Sequence, residues 1–478
     1  MTSFALTTSA ARTYLETHLS TRQVNKVLHS FPSPRFWKDQ RHTPLDARPA
    51  GSGAPTSELY VALPFCLVTQ PAHCGYCLFP TEGYESQDQL DVYLNALEQE
   101  GELYRERWQS LAPRSIFIGG GTPNLLKVHQ YPRLLGMIRR LLPSLESGTP
   151  VTLEGIPQLF NRDKLEAMQT HGVTRISMGA QQLDPELSRL SGRSQQPRHV
   201  FQAVEWASEL GLGCNVDLIY GWPQQTLTHM RDDLKALMGS GVQHITHYEL
   251  NVGGATDFAL NHRQDLPSPE RVREMYHEAV ALLTSGGYVQ LTPYDFQKMD
   301  VAAHSDFVYE ECRRSFDPHD VWAWGYAAIS DLPGHRPGPQ GDSGHQEAGG
   351  WTFMNHRTLT GYYASIDQGR LPVECGYSRT PADLRLSLLF RTLQALRIDR
   401  ASYRHNFGLD VVDEFRPIWE AASELGLLTV DEEAITLTEE GAYRVPLLQT
   451  TLMQSRVEEL TEEHFARLRQ AVNLEARP

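Results

Sequence analysis

Apolar and polar positions switch between two periods along the first half of the chain. "ELYVALPF" (58–65) is a short, mostly apolar run of strand type, and "SQDQLDVYLNALEQEGEL" then places Leu90, Tyr93, Leu94 and Leu97 on one helical face, with Ser86 as N-cap. The alternation repeats. "SIFI" (115–118) predicts a buried strand and a helix follows near 128–142; "VTLEG" (151–155) predicts a strand and "RDKLEAMQTHG" a helix. "TRISMG" (174–179) is a strand, after which Val200, Ala203, Val204 and Ala207 share a helix face. "CNVDLIYG" (214–221), a helix near 226–240 and "HITHYEL" (244–250) complete the series. Strands alternating with helices at this spacing imply parallel βαβ units, at least six before residue 255. The pattern predicts an α/β protein built on a partial or full (β/α) barrel, with its site at the C-terminal ends of the strands.

The rest of the chain divides by composition. Residues 1–57 end in "RHTPLDARPAGSGAPTS" and read as an N-terminal extension or linker ahead of a barrel domain over 58–330. "DLPGHRPGPQGDSGHQEAGG" (331–350) is a Gly/Pro-rich loop, read either as an insertion or as a lid over the site. Residues 351–478 form a separate C-terminal domain. Within it Thr380, Pro381 and Asp383 are spaced as N-cap, N1 and N3 of a helix whose apolar stripe is Leu386, Leu389, Phe390 and Leu393. A second helix, a short hairpin and a further helix give this part a small winged-helix-like α+β shape.

Bulk properties narrow the function. At roughly 150 residues per domain, 478 residues allow about three domains or one large barrel with additions. A net charge of −15 argues against nucleic acid as a partner, the winged-helix shape notwithstanding. No apolar run approaches the ~20 residues that span a bilayer, and the N-terminus lacks the pattern of a secretory signal, so no membrane partner and a cytoplasmic location are expected.

Six cysteines in such a length are no disulfide framework, but three of them lie in "PFCLVTQPAHCGYCLF" (64–79). Cys66, Cys74 and Cys77 are spaced C-x7-C-x2-C. A structural zinc site wants four ligands, and only His73 stands nearby as a fourth. Three thiols packed as small hydrophobic groups are the plain alternative. Three thiolates also suit a [4Fe–4S] cluster with one iron left open for a chelating small molecule. "FIGGGTPNLL" (117–126) follows the second strand, where glycines would let backbone approach a ligand and expose N–H groups to it. Asp217 sits inside an apolar strand, where an unpaired charge would be costly, which favours a polar ligand beside it.

Taken together, "YVALPFC", "CGYC", "GGGTPNLL", "RISMGAQQLD", "SGR" and "NVDLIYGWPQQT" occur in an order that resembles the radical S-adenosylmethionine (SAM) enzymes related to oxygen-independent coproporphyrinogen III oxidase. "VWAWGYAAIS" resembles a later Gly-rich segment of that family, and "GRLPVECGYSRTPADLR" and "ITLTEEGAYRV" its C-terminal domain, so the likeness covers about residues 58–450. The resemblance implies that Cys66, Cys74 and Cys77 hold a [4Fe–4S] cluster, whose electron cleaves SAM to a 5′-deoxyadenosyl radical. Tyr60, Gly120 and Glu154 match positions that contact this SAM. Tyr76, Gly121, Thr122, Gln181, Arg193 and Asp217 match positions around a second SAM, and Ile329 matches a position in the later segment. One departure is plain: the family's usual spacing is C-x3-C-x2-C, so the first gap is four residues longer here. The resemblance further implies an external electron donor such as flavodoxin or ferredoxin. The matched second-SAM positions make transfer of a methyl or methylene carbon to an sp2 carbon of a small-molecule aromatic substrate the leading expectation, as methyltransferase or cyclopropanase, with an accessory methyltransferase as a further partner. Coproporphyrinogen III dehydrogenation and haem carriage are the alternatives.

Overall fold

The computed structural model describes residues 6–22, 31–39, 56–302, 315–317, 319–333 and 349–475. After a two-residue strand at Lys38–Asp39, the main sheet has six parallel strands in chain order: β1 (Thr56–Leu63), β2 (Ser115–Gly120), β3 (Val151–Gly155), β4 (Arg175–Gln181), β5 (Gly213–Tyr220) and β6 (His244–Glu249). They are followed by β7 (Tyr288–Gln290), β8 (Asp295–Lys298), β9 (His319–Gly325), β10 (Ile329–Leu332), β11 (Trp351–Asn355) and β12 (Val373–Ser378). Strand β9 returns to lie parallel beside β1, with His319 opposite Thr56 and Gly325 opposite Ala62. The parallel block therefore runs β9-β1-β2-β3-β4-β5-β6. Antiparallel strands extend it at both ends, β10, β11 and β12 beyond β9 and β8 and β7 beyond β6. The two outermost strands, Lys38–Asp39 and β7, do not pair with each other, so the sheet is an open, partial barrel.

Helices cover the sheet's outer face. They are α2 (Gln87–Trp108), α3 (Gln130–Leu141), α4 (Arg162–Thr170), α5 (Pro197–Glu209), α6 (Leu227–Ser240) and α7 (Pro269–Ser285), after α1 (Thr8–Leu19) near the N-terminus. Each forms for a readable reason. Ser86 and Gln89 make a reciprocal capping box that starts α2, whose Leu90, Tyr93, Leu94 and Leu97 are all buried. Val200, Ala203, Val204 and Ala207 are the buried face of α5.

The C-terminal domain has α8 (Pro381–Leu393), β13 (Arg397–Asp399), α9 (Arg416–Glu424), a hairpin of β14 (Leu428–Val430) and β15 (Ala434–Leu437), α10 (Glu439–Tyr443) and the long α11 (Val445–Glu475). The three strands pair as β13-β15-β14, which gives the winged-helix-like arrangement expected. Thr380 Oγ1 accepts from Asp383 N at 3.1 Å, and Pro381 opens α8 as the spacing predicts.

Two boundaries differ from the sequence reading. The barrel sheet does not stop at 330, because β11 and β12 hydrogen-bond to β10 in antiparallel register and belong to it. Part of the supposed linker is a docked helix: α1 buries Ala11 and Leu15 against α9 and α11, and Arg12 pairs with Glu424 at 2.8 Å. One turn separates Ala11 from Leu15, so they share a face. Most of the 331–350 loop lies outside the described residues. Among the described residues no helix is long and apolar enough to cross a membrane.

Candidate active site

The site is assembled at the C-terminal ends of the parallel strands. Cys66 follows β1 directly, and its Sγ accepts from Thr122 Oγ1 at 3.4 Å. Cys74 and Cys77 come from the turn beyond. There His73, Cys74 and Gly75 all take left-handed backbone, at φ 51°, 54° and 71°. Three such residues in succession are unusual and persist only where surroundings fix them. The lengthened gap supplies part of that fixation. Thr69 Oγ1 donates to Pro71 O at 2.7 Å and accepts from Cys74 N at 3.0 Å, and Cys77 N closes the turn on His73 O at 3.0 Å. The added residues also rest on Gly192, where a Cβ would run into the backbone of Gln70.

The glycine run packs rather than presents donors. Gly121 N donates to Leu63 O and Thr122 N to Phe65 O, both at 2.7 Å, while Gly120 N donates to Glu154 Oε2 at 3.3 Å. These N–H groups are thus taken by the protein, contrary to the expectation that they face a ligand. A Cβ at Gly120, whose φ is +106°, would sit 2.7 Å from Leu63 O, and one at Gly121 2.5 Å from Phe65 O. Glycine is required here so that β2 can hug the end of β1.

Around this frame lies a cavity of about 500 Å³. Cys66, Cys74, Cys77, Tyr60, Tyr76, Gly120, Gly121, Thr122, Glu154, Gln181 and Arg193 all line it. Burial pushes the Cys66 and Cys77 thiols up, so a metal or cation is needed to hold them as thiolates. Burial likewise pushes Glu154 up to about 8, aided by the Asp217 carboxylate. Arg193 donates from Nη1 to Gly179 O at 2.7 Å and Gln195 Oε1 at 3.2 Å. Burial opposes its charge, but Tyr76 and Cys74 beside it outweigh that. Gln181 ends β4 with φ 67°, at a shift in register against β5.

A second cavity of about 380 Å³ adjoins the first, and Tyr76, Cys77, Phe79 and Gln181 line both. Asp217 lines this one, not the first. Burial pushes its carboxyl up to about 6, and Asn215 Nδ2 donates to it at 2.6 Å. The walls are tyrosines: Tyr220 from β5, Tyr248 from β6, Tyr276 from α7, Tyr294 ahead of β8, and Tyr443 from the C-terminal domain. Ile329, at the start of β10, lines neither cavity. His247 and Glu249 of β6 also line the tyrosine cavity and were missed from sequence. Polar residues near the end of a barrel strand, in "HITHYEL", were the available signal.

The donor set fits an iron–sulfur cluster better than a single ion. Among the described residues no three His, Cys, Asp or Glu side chains gather around a point that would hold one metal ion. A cubane binds each thiolate at a different iron and so takes thiols spread around a cavity wall. Three thiols without a fourth ligand leave one iron open.

Within this open parallel barrel, with its three cysteines after the first strand, residues 65–237 match the Radical SAM superfamily. The chain carries this domain and resembles oxygen-independent coproporphyrinogen III oxidase. It is 28% identical to the Escherichia coli enzyme of that name over 397 residues, covering 80% of this chain and 82% of the relative. It is 26% identical to the heme chaperone HemW of Bacillus subtilis over 388 residues, covering 80% of this chain and 95% of the relative. The solved structure of E. coli coproporphyrinogen III oxidase shares the fold, with a TM-score of 0.75 at 24% identity over 90% of this chain and 99% of that one. Methyl or methylene transfer, the leading expectation from sequence, finds no support at comparable coverage.

Proposed function

We propose that the protein is a SAM-dependent radical enzyme that dehydrogenates a porphyrinogen-type substrate, in the manner of oxygen-independent coproporphyrinogen III oxidase. The observation that carries this reading is the shared wall of the two cavities: the thiol-lined space opens beside the tyrosine-walled one at Tyr76, Cys77, Phe79 and Gln181. When bound, the [4Fe–4S] cluster supplies the electron that reductively cleaves SAM, and an external donor such as flavodoxin or ferredoxin replenishes it. The chain's own residues do the rest. Cys66, Cys74 and Cys77 would hold the cluster, Tyr60, Gly120 and Glu154 would receive SAM beside Arg193, and Gln181 stands between the two spaces. The aromatic walls keep water away from a reactive intermediate. Residues matched to a second SAM line the same cavity as the first set apart from Asp217, so one SAM suffices for this proposal.

Haem carriage is the second reading, favoured by the alignment over 95% of the B. subtilis heme chaperone. Anaerobic reconstitution separates the two. An enzyme forms 5′-deoxyadenosine from SAM and releases carbon dioxide from coproporphyrinogen III. A carrier retains haem through gel filtration and forms no such product. Absence of both 5′-deoxyadenosine and iron uptake would reject the radical reading outright.

A further inference from the structure

The turn after β3 is pinned by its neighbours. Ile156 N donates to Asn124 Oδ1 at 3.1 Å and Asn124 Nδ2 donates back to Ile156 O at 3.0 Å, while Lys164 Nζ of α4 donates to Asn124 O. Gly155 makes room for this clasp, since a Cβ there would stand 2.2 Å from Asn124 Cγ. Pro157–Leu159 then form one tight helical turn, closed by Leu159 N on Ile156 O at 3.1 Å and Phe160 N on Pro157 O at 3.2 Å. Gln158 stands on this fixed platform. Its Oε1 is screened from bulk solvent and has no hydrogen-bond partner among the described residues. A buried amide oxygen left in this state is costly until a donor reaches it. Gln158 lines the thiol cavity and not the tyrosine one, sharing that wall with Tyr60, Ile156, Glu154 and Arg193. The Glu154 carboxyl and the Arg193 guanidinium suit the ammonium and carboxylate of the methionine half of SAM, because charge-assisted bonds are the strong ones. A neutral amide suits the uncharged half, where adenine carries an amine and ribose two hydroxyls. The amide turns about its terminal bond, so either Oε1 or Nε2 can meet the cavity.

We propose that Gln158 is a further SAM-binding residue, whose amide takes an uncharged hydrogen-bonding group of the nucleoside half. The proposal rests on the radical-enzyme reading for the identity of the ligand. The Asn124 clasp then has a purpose beyond packing: it joins the "GGGTPN" loop after β2 to the turn after β3 and so fixes where the amide stands. Division of labour follows within one cavity. Charged side chains take the end of SAM nearest the cluster, and Gln158 reads the other.

Three SAM analogues test this on the anaerobically reconstituted protein without reductant, so that no SAM is cleaved. Each carries hydrogen in place of one group: the adenine amine, the ribose 2′-hydroxyl or the 3′-hydroxyl. Affinity is read by equilibrium dialysis. Wild type is expected to bind at least one analogue about threefold to tenfold more weakly than SAM, the loss of one hydrogen bond between neutral groups. Gln158→Met keeps the length of the side chain and should weaken SAM by a similar factor. It should leave that one analogue as tightly bound as in wild type, while the other two weaken along with SAM. The analogue that is spared identifies the group that Gln158 contacts. Wild type binding all three analogues as tightly as SAM would overturn the proposal whether or not the variant folds. So would a Gln158→Met protein that binds SAM like wild type, or one that loses SAM and all three analogues equally, which would assign the loss to the turn and not to the amide. Wild type that takes up iron but no SAM would overturn the radical reading together with this one. SAM binding and 5′-deoxyadenosine formation without the expected pattern would remove this one alone.

Discussion

The two cavities share a wall and little else. The larger is organised by backbone and polar groups: glycines pressed onto the end of β1, three thiols, the Glu154 carboxyl and the Arg193 guanidinium, with Tyr60 also in its wall. The smaller is made of large aromatic rings brought by β5, β6, α7 and the C-terminal domain. Chemistry that depends on a fixed cofactor needs a rigid frame, and backbone contacts at glycine supply it with few degrees of freedom. Recognition of a variable organic molecule needs area and a few polar points, which side chains from several elements supply. The difference implies that a change in one cavity can leave the other working.

The largest effect is expected from Cys66→Ala. Removing one of three thiolates leaves two ligands for the cubane, so iron after reconstitution should fall severalfold and 5′-deoxyadenosine formation should cease. Iron content and turnover equal to wild type would end the assignment of Cys66 as a ligand.

Gly192→Ala attacks the same cavity from the side of the lengthened cysteine loop. Gly192 has φ +70°, and a Cβ there meets the Gln70 backbone, so the turn carrying Cys74 must shift. A left-handed non-glycine residue with a backbone clash costs on the order of 2–4 kcal/mol. The cluster should bleach faster in air and SAM should bind more weakly. A bleaching rate matching wild type would show that the added loop residues lean on nothing important.

Glu154 gives a smaller, titrating effect. With its carboxyl pushed up to about 8 by burial and by Asp217, it is mostly protonated at pH 7. If Glu154 receives SAM as proposed, by accepting from its ammonium, this proton must leave. SAM affinity should therefore rise with pH until it passes about 8 and then level, by up to about tenfold per unit below that point. Glu154→Gln should flatten the profile. An unchanged slope in the variant would place the titration elsewhere.

Much of the first cavity was legible in the sequence, because its parts are close together in the chain or sit at the ends of strands whose order the periodicity reveals. The C-x7-C-x2-C run, "GGGTPN" and Glu154 in "VTLEG" could each be placed near a strand's end, while Arg193 in "SGR" came only from the family resemblance. What could not be read was how backbone donors are used. Gly120, Gly121 and Thr122 N–H groups go to Glu154, Leu63 and Phe65, a pairing that depends on how close two strand ends come in space. The second cavity left almost no trace, because Tyr220, Tyr276 and Tyr443 are ordinary aromatic residues of apolar faces until the fold brings them together. Asp217, polar inside an apolar strand, marked the place, with Tyr76 and Gln181 named only through the family resemblance. The fold was read well for the same reason: helix and strand periods are local. The two boundary errors arose where contacts are long-range, as with α1 against α9 and α11, or β11 and β12 continuing the barrel sheet.

The smallest expected effect concerns the joint that carries Tyr443 into the second cavity. Tyr443 lies over Tyr276 with centroids 5.0 Å apart, and beside them α7 and α10 are tied by charge. His277 Nε2 is 3.0 Å from Glu440 Oε2, Arg273 Nε is 2.7 Å from the same oxygen, and Arg444 Nε is 2.9 Å from Glu440 Oε1. Burial works against the Glu440 charge, but His277, Arg273 and Arg444 outweigh it and hold the carboxyl down to about 2. The Glu440 partner in turn raises His277 above the ordinary imidazole value. The signs differ. Glu440 stabilises the joint fully above the ordinary carboxylate value near 4.5 and loses this as pH falls towards 2. His277 stabilises it fully below the ordinary value near 6.5 and loses this as pH rises through its raised folded value. The joint should be firmest between those two pH values, with His277→Gln costing no more than about 1 kcal/mol because the pairs are partly open to solvent. Amide exchange in α10, corrected for intrinsic rates, should slow within that window and quicken above it in wild type alone. Protection that does not change between pH 5 and 8 would detach His277 from the joint and leave Arg273 and Arg444 as what holds Tyr443 in the wall.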